Sequence, residues 1–377
     1  MLVHDYLKEY GGAESVLETL SDIFPDAPIY TSLYHPQSFG PHRLRLQKKW
    51  QDRIHQSFFK YVPFASRLIS LFRFLSPLAF RLFDFSQYDI IITSATGAYF
   101  PNALNKGHAK LICYCHTPPR YLYGLTTARD PKKYPILNFF AQIVFHFFRL
   151  LDFSYAQNVD QFIANSATTA SRIQKFYRQK SIIINPPVDL PSRHSEFNLG
   201  SRSPPRQSFY LTGGRLARAK RYDLAIHACQ QLKLPLKIFG RDFAGHQAEL
   251  KKISTSTTQF LGEITNDQKN NLMSTAKAFI FCSDNEDFGI VPVEAMAHGC
   301  PVIGHNSGGT AETVVDGKTG VLFDDLTVDS CISAIQKLNH HCEALGNEAI
   351  SKACISRVYQ FGKPIFVKKI KKLISAL

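Results

Sequence analysis

The sequence lacks the features of a disulfide-bonded or zinc-binding protein. None of its eight cysteines forms a CxxC pair, and no His/Cys cluster has the spacing of a zinc site. Cys113 and Cys115 alternate within an apolar run, as core residues on one face of a strand do. We therefore expect buried free thiols in a reducing compartment. We also expect no signal peptide, because the first residues already read as folded sequence.

Long uninterrupted hydrophobic runs are also missing. Residues 136–153 carry His146 and Arg149 in their middle, and residues 58–85 are interrupted by four basic residues and two prolines. An arginine at the centre of a bilayer costs about 2.5–3.5 kcal/mol on insertion scales. We therefore predict that the chain lies on a membrane and does not cross it.

Acidic residues are scarce relative to basic ones. The chain has 44 Lys and Arg against 30 Asp and Glu, a formal charge of +14. Such an excess favours an acidic partner: nucleic acid, anionic lipid or a phosphorylated small molecule. A nucleic-acid-binding protein would explain the charge alone, but no RNA-binding aromatic signature, helix-turn-helix pattern or basic tail is present. No nucleic-acid partner is therefore expected.

The length of 377 residues fits two domains. Short β-branched runs alternate with helical patterns, which predicts parallel sheets wrapped by helices. We predict an α/β domain over 1–185, a Pro/Ser-rich linker over 186–207, a second α/β domain over 208–350, and a helix over 351–377 that can pack back on the first domain. Strands are predicted at 88–94, 110–115, 161–166, 181–185, 208–212, 236–239, 259–261, 278–282, 301–304 and 320–323.

The segment SDNEDFGIVPVE, residues 283–294, predicts a strand, a loop and the start of a helix near Val291. Pro292 suits the first turn of that helix, where its missing N–H loses no hydrogen bond. The amides around Phe288, Gly289 and Ile290 are then free to form an anion site.

Two glutamates accompany this site. Glu294, predicted in the first helical turn, can accept hydrogen bonds from the vicinal hydroxyls of a ribose, and Glu286 lies in the loop. Alternatively, both glutamates only stabilise the helix N-terminus electrostatically.

Cations are predicted at the end of a neighbouring strand. In LTGGRLARAK, Arg215 and Lys220 follow the strand at the start of a helix, where they can clamp a diphosphate leaving group. A solvated basic surface patch is the alternative interpretation.

The first half contributes two further candidates. Gly11 and Gly12 follow a short strand and let a backbone approach a phosphate closely, although a glycine pair is not the GxGxxG of a dinucleotide-binding turn. His116 follows the run KLICYC ahead of two prolines, so we expect it to face a cleft and to bond a sugar hydroxyl or stabilise charge. A structural histidine satisfied by backbone is the alternative.

Five segments in order resemble the retaining family-4 glycosyltransferases, over nearly the whole chain. They are VHDYLKEYGGAESVLETLSDIFPDAPIYT, CYCHTPPRYLYG, GGRLARAKRYDLAI, EDFGIVPVE and SGGTAETVVDGKTGVLF, the last containing Gly308, Gly309 and Glu312. Arg221 and Tyr222 stand where the family often has glycine, which is expected to alter the neighbouring helix start.

The resemblance implies a GT-B fold, in which two Rossmann-like domains with parallel sheets face a central cleft. It implies a metal-independent hexosyltransferase without cofactors. By this resemblance Glu294 binds the donor ribose, Arg215 and Lys220 neutralise the nucleoside diphosphate, and Gly11 and Gly12 lie near it. Catalytic roles fall to Glu286, which with the amides of Phe288, Gly289 and Ile290 holds the sugar ring, and to His116 beside it. No DxD triplet is present, in agreement with cations replacing a metal.

The resemblance is strongest to the mannosyltransferases of O-antigen and exopolysaccharide assembly, which implies GDP-mannose as donor. A polyprenyl-diphosphate-linked saccharide is the expected acceptor, and the inner face of the cytoplasmic membrane the expected location. UDP-sugars, a soluble acceptor and a noncatalytic GT-B scaffold remain alternatives.

Residues 42–83 contain nine basic residues against one acidic residue, Asp52, with aromatic residues between them. This pattern predicts an interfacial helix on anionic lipid. The alternative is that the aromatic residues fill a core and the cations are only solvated.

Overall fold

The computed structural model describes residues 1–66, 68, 73–127, 135–190 and 206–376. The described residues divide into two compact units, one of residues 1–125, 135–187 and 366–376, and one of residues 126–127, 188–190 and 206–365. Most of the predicted linker, residues 191–205, lies outside the described residues. The C-terminal segment predicted over 351–377 is divided, because residues up to 365 belong to the second unit.

The described strands of the first unit form a seven-stranded parallel sheet in the order β3-β2-β1-β4-β5-β6-β7. The strands are β1 (Leu2–His4), β2 (Ile29–Thr31), β3 (Ile54–Gln56), β4 (Ile90–Ala95), β5 (Lys110–Cys115), β6 (Gln161–Ala164) and β7 (Ser181–Ile183). The helices of its chain segments are α1 (Gly12–Ile23), α2 (Arg43–Trp50), α3 (Ser76–Arg81), α4 (Pro135–Gln157) and α5 (Ala167–Tyr177).

The second unit holds a six-stranded parallel sheet in the order β10-β9-β8-β11-β12-β13. Its strands are β8 (Tyr210–Gly213), β9 (Leu236–Phe239), β10 (Thr258–Gly262), β11 (Ala278–Phe281), β12 (Val302–His305) and β13 (Gly320–Phe323). The remaining helices are α6 (Tyr222–Gln231), α7 (His246–Ile253), α8 (Asn266–Thr275), α9 (Ile290–Ala297), α10 (Gly308–Thr313), α11 (Val328–Leu345), α12 (Asn347–Val358) and α13 (Lys363–Ile374). The predicted α/β fold with two parallel sheets is therefore confirmed.

The central strands of both sheets are buried on their two faces, as the apolar runs of the sequence require. In β5, Cys113 and Cys115 pack into the core on one face, whereas Ile112 and Tyr114 pack into the core on the other. All eight cysteines are free thiols, and only Cys342 among them is partly exposed.

The C-terminal residues complete the first core. From α13, Phe366 and Ile370 join the cluster that contains Tyr114 and Ile184, and both side chains are buried. Within the described ranges, no helix combines the length and apolar character needed to cross a membrane.

Candidate functional site

In the second unit, the loop after β11 is held through the side chain of Glu286. Ser283 donates from its Oγ to the Oε2 of Glu286 over 2.6 Å, and Lys220 forms an ion pair with the same oxygen. Lys220 lies in the short turn that follows β8, the strand paired with β11. Because parallel neighbours end at the same edge of a sheet, residues 66 positions apart in sequence meet here.

Helix α10 approaches this loop closely because it begins with two glycines. A Cβ on Gly308 would lie 2.2 Å from the carbonyl oxygen of Glu286, and one on Gly309 would lie 2.3 Å from the Cα of Phe288. The Gly309 N–H donates to the Glu286 carbonyl over 2.8 Å. The start of α10 therefore packs directly against the backbone of the Glu286 loop.

The N-terminus of α9 has the geometry predicted for an anion site. Gly289 precedes the helix with a φ of 83°, a conformation that favours glycine. Ile290 is the first helical residue, so its N–H has no partner within the helix and lies at the positive end of the helix dipole. Phe288 as a whole residue is 2% exposed, and its ring packs 5.4 Å from that of Phe361. Phe288 is therefore a core residue.

Glu294 is the fifth residue of α9 and does not lie in its first turn, so that prediction was wrong. The left-handed Gly289 sets the helix start at Ile290, a position that sequence pattern locates only approximately. The Oε1 of Glu294 accepts from the Nζ of Lys269, in α8, over 2.8 Å. Both side chains remain partly exposed, so the carboxylate keeps capacity for further hydrogen bonds.

Arg215 follows a crowded glycine turn at the end of β8. A Cβ on Gly240 would lie 1.7 Å from the carbonyl oxygen of Gly214, so β8 and β9 end in a contact that only glycine permits. The Cζ of Arg215 lies 5.4 Å from the centroid of the Phe243 ring. Stacking on an aromatic ring orients a guanidinium without neutralising its charge.

The two positions that depart from the family pattern have visible structural roles. Tyr222 donates from its hydroxyl to the carbonyl oxygen of Arg215 over 3.3 Å and thereby braces the turn. Arg221 has a φ of 49°, the left-handed conformation that glycine adopts at lowest cost. The start of α6 was expected to differ from the family pattern. The difference is that Arg221, which is not glycine, adopts a conformation suited to glycine.

In the first unit, His116 follows β5 and is 9% exposed. Its Nε2 lies 2.9 Å from the Oγ of Ser94 at the end of β4. Burial, with a smaller contribution from His4, lowers the pKa of His116 to about 3. The ring is therefore neutral near pH 7 and largely buried, whereas the sequence predicted a histidine facing a cleft. It can supply a hydrogen bond but not a positive charge.

Gly11 and Gly12 open α1, as predicted, but their amides differ. The Gly11 N–H donates to the Oε2 of Glu14 over 2.8 Å and is thereby satisfied. Gly12 is the first residue of α1, so its N–H has no partner within the helix. The Oε1 of Glu14 also lies 3.5 Å from the Nε2 of buried His4.

Asp5 organises the neighbouring loop, a role that the sequence analysis missed. Its buried carboxylate accepts from the N–H groups of Thr96, Ala98 and Tyr99 over 3.1–3.3 Å, and burial raises its pKa. A Cβ on Gly97 within this loop would lie 2.6 Å from the carbonyl oxygen of Thr117. Asp5 therefore holds the loop against Thr117, the residue that follows His116. The sequence signal for this role is an acidic residue directly after the first strand.

The basic residues of 42–83 are used in part within the fold. Lys49 lies 3.0 Å from Glu18 and 2.6 Å from Asp22, and Arg45 pairs with Glu18. Arg53 donates to carbonyl oxygens at the end of α1, over 2.8 Å to Phe24. These three cations are thus partly neutralised within the fold, although Arg45 and Lys49 stay partly exposed.

The aromatic residues of this stretch are divided between core and surface. Phe59 and Phe80 are buried, whereas Phe64 is 68% exposed. In place of one interfacial helix, the described part of this stretch contains α2, β3, α3 and short 3₁₀ turns. Pro77 lies in the first turn of α3, a position that proline tolerates. Arg67 and Phe72 lie outside the described residues.

Two family models match the chain. The model described as "Glycosyltransferase Family 4" matches residues 10–191, and "Glycosyl transferases group 1" matches residues 197–352. Among curated proteins, the α-1,3/1,6-mannosyltransferase alg2 of Schizosaccharomyces pombe is 27% identical over 64% of this chain and 53% of its own length. The human ALG2 mannosyltransferase is 27% identical over 63% of this chain and 62% of its own length. The chain thus spans little more than half the length of these relatives.

Solved structures agree with the fold. Anabaena HepE in complex with UDP and glucose aligns with a TM-score of 0.68 at 18% identity, covering 100% of this chain and 99% of the other. Sucrose-phosphate synthase from Thermosynechococcus elongatus aligns with a TM-score of 0.71 at 15% identity, covering 100% and 98%. At these identities the likeness concerns the fold alone. Together with the two family matches, it shows that the chain belongs to the family-4 glycosyltransferases and has their GT-B fold.

Proposed function

We propose that this protein transfers mannose from GDP-mannose to a lipid-linked saccharide at the inner face of the cytoplasmic membrane, in the assembly of a cell-surface polysaccharide. The observation that carries the proposal is the meeting of Lys220 and Glu286 beside the N-terminus of α9. There a cation, a carboxylate and free amides occupy one edge of the second sheet. Mannose is favoured because the curated relatives named above are mannosyltransferases.

Each group has a proposed part in binding the donor. Lys220 and Arg215 neutralise the diphosphate, and the Ile290 amide adds the positive end of a helix dipole. Glu294 accepts hydrogen bonds from the ribose hydroxyls, and Glu286 accepts from the sugar. With cations on the leaving group, the transfer needs no metal ion.

The bond between the anomeric carbon and the phosphate oxygen breaks, and its electron pair leaves with the nucleoside diphosphate. The acceptor hydroxyl oxygen bonds to the same face of that carbon, and its proton passes to the departing diphosphate oxygen, so the anomeric configuration is retained. Preorganised charge that meets the departing diphosphate lowers the barrier, because this charge develops only as the bond breaks. We propose that the first unit binds the acceptor.

The test measures nucleoside-diphosphate release from GDP-mannose and from UDP-sugars, with membrane lipid extract present. UDP-glucose belongs in the panel because HepE has been solved with UDP-glucose bound. Wild type is compared with Glu294→Ala and with Glu348→Ala, a control whose exposed carboxylate pairs only at the surface of α12 with Lys352. Release from GDP-mannose alone, lost in Glu294→Ala and kept in Glu348→Ala, supports the proposal.

Other outcomes decide against parts of it. Release from a UDP-sugar only would overturn the choice of donor, and release with free sugars in place of lipid extract would overturn the lipid acceptor. An inverted anomeric configuration in the product, read by proton NMR, would contradict retention. Loss of activity with a chelating agent, restored by a divalent cation, would contradict metal independence.

A further inference from the structure

Helix α4 of the first unit is apolar on two sides. Its inward side packs on the unit, where the ring of Phe148 lies 5.7 Å from that of Phe100 and Asp152 accepts from the hydroxyl of Tyr123 over 2.8 Å. Its outward side carries large apolar residues that are 40–61% exposed. They are spaced as one helical face: Phe140, Ile143, Val144, Phe147, Leu150 and Leu151.

A second apolar stripe lies on α3 and its flanks. Leu75, Leu78 and Leu82 are 49%, 50% and 66% exposed, again at the spacing of one helical face. The two elements adjoin, since the ring of Phe74 lies 4.7 Å from that of Phe148. We call the exposed residues Ile143, Val144, Phe147, Leu150 and Leu151 of α4 the apolar face.

Such a surface needs a partner in solution. A single exposed leucine is ordinary, but contiguous apolar patches mark sites of protein or membrane contact. A helix that is apolar on both sides normally has both sides covered. The described residues cover only the inward side of α4.

The charges around the apolar face indicate which partner covers it. No Asp or Glu occurs between Arg53 and Asp84 or within 136–151. Arg81, in α3, is exposed, and its Cζ lies 5.4 Å from the ring of Tyr155, in α4. A second copy of this chain would bring like charges together, at a net charge of +14 on each copy. An anionic surface brings the opposite charge.

We propose that the apolar face inserts into the headgroup region of an anionic lipid bilayer, with Arg81 on lipid phosphates. The inference rests on the proposed function, which needs a lipid-linked acceptor, and it names the surface that brings the enzyme to that acceptor. Apolar insertion and cation–phosphate attraction act together here, as in helices that lie in the plane of a membrane.

The test is flotation of the full chain with vesicles of phosphatidylcholine, alone or mixed with phosphatidylglycerol. The variant Ile143→Gln/Phe147→Gln/Leu150→Gln removes the centre of the apolar face. The control Leu345→Gln/Tyr359→Gln changes two residues of the second unit that are each 55% exposed. Wild type and control are expected to float with the anionic vesicles, and the triple variant to bind about tenfold more weakly. Arg81→Glu is expected to weaken anionic binding, and salt to weaken wild-type binding.

Wild type that does not float, or a triple variant that floats equally, overturns the proposal. The proposal is also overturned if wild type forms a dimer in sedimentation velocity without vesicles and the triple variant does not. The apolar face would then be an interface between two copies of the chain. GDP binding by calorimetry is measured on the same samples. If wild type binds GDP but does not float with vesicles, only the docking surface is refuted. If wild type floats but releases no nucleoside diphosphate from any donor, the proposed function is refuted.

Discussion

Lys269 and Glu294 join α8 to α9 by an ion pair, with 2.8 Å between Nζ and Oε1. The pair holds the carboxylate of Glu294 in the second turn of α9, where the ribose of the donor is proposed to bind. Lys269 holds that carboxylate in one orientation and thereby reduces the conformational freedom that binding would have to remove.

Removal of Lys269 should therefore weaken nucleotide binding without unfolding the chain. We expect Lys269→Met to lower the affinity for GDP about two- to fivefold, the range for a partly exposed ion pair. Calorimetric titration with GDP measures this change in affinity. The control Lys337→Met removes an exposed pair with Asp316 and should leave affinity unchanged. Equal affinity in wild type and Lys269→Met would show that Glu294 is oriented by other contacts.

The close approach of α10 to the Glu286 loop can be tested by adding a methyl group. Gly308 and Gly107 have nearly equal φ values, 56° and 54°, but a Cβ on Gly107 meets nothing within 4 Å. Both alanine variants carry the same backbone strain, about 1 kcal/mol. We expect Gly308→Ala to lose about 1–3 kcal/mol more in urea unfolding, with weaker nucleotide binding, because the Glu286 loop must shift. Equal losses of unfolding free energy in the two variants would mean that the Glu286 loop shifts to accommodate the methyl group without destabilising the fold.

Sequence pattern located the sheets where apolar runs were long and bounded. Strands β5, β9 and β13 agree with their predicted residues, because apolar residues dominate each of them and most of their side chains are buried. In contrast, β2 and β3 were not predicted, since their three residues, IYT and IHQ, show neither a period nor the apolar run that marks β7.

The site could be predicted only where local chemistry defines it. The loop with Glu286 and the turn with Lys220 each carry a local glycine and charge pattern. The pairing of Lys269 with Glu294 depends on how α8 packs against α9, which no local pattern records. The hydrogen bond between His116 and Ser94 likewise depends on the pairing of β5 with β4.

The neutral state of His116 predicts a pH effect of known sign. Its pKa falls from an ordinary 6.5 to about 3 on folding, so below pH 6.5 the unfolded chain binds a proton that the folded chain excludes. Stability from this group is complete above the unfolded value and is lost as pH falls towards 3, by at most about 1.4 kcal/mol per pH unit. We expect His116→Asn to show a smaller drop in urea midpoint between about pH 7 and pH 5. An identical drop in both proteins would place the protonation elsewhere.

Asp152 predicts the opposite sign. Burial raises its pKa from 3.8 to about 7, and the hydroxyl of Tyr123 donates to it over 2.8 Å. The folded carboxyl therefore keeps its proton where the unfolded one releases it. The stability it contributes is complete below 3.8 and is lost as pH rises through 7.

Asp152→Asn should remove that loss, because the amide oxygen still accepts from Tyr123 and carries no charge. Relative to wild type, the variant's melting temperature is expected to rise between about pH 5 and pH 8. The control is Asp160→Asn. Burial acts to raise the pKa of Asp160, but the hydrogen bond from Lys106 lowers it overall. Because Asp160 is ionised in both states above pH 5, its variant should be less stable than wild type by a constant amount between about pH 5 and pH 8. A pH-independent difference for Asp152→Asn would show that Asp152 is ionised throughout, and the neutral carboxyl inferred here would be wrong.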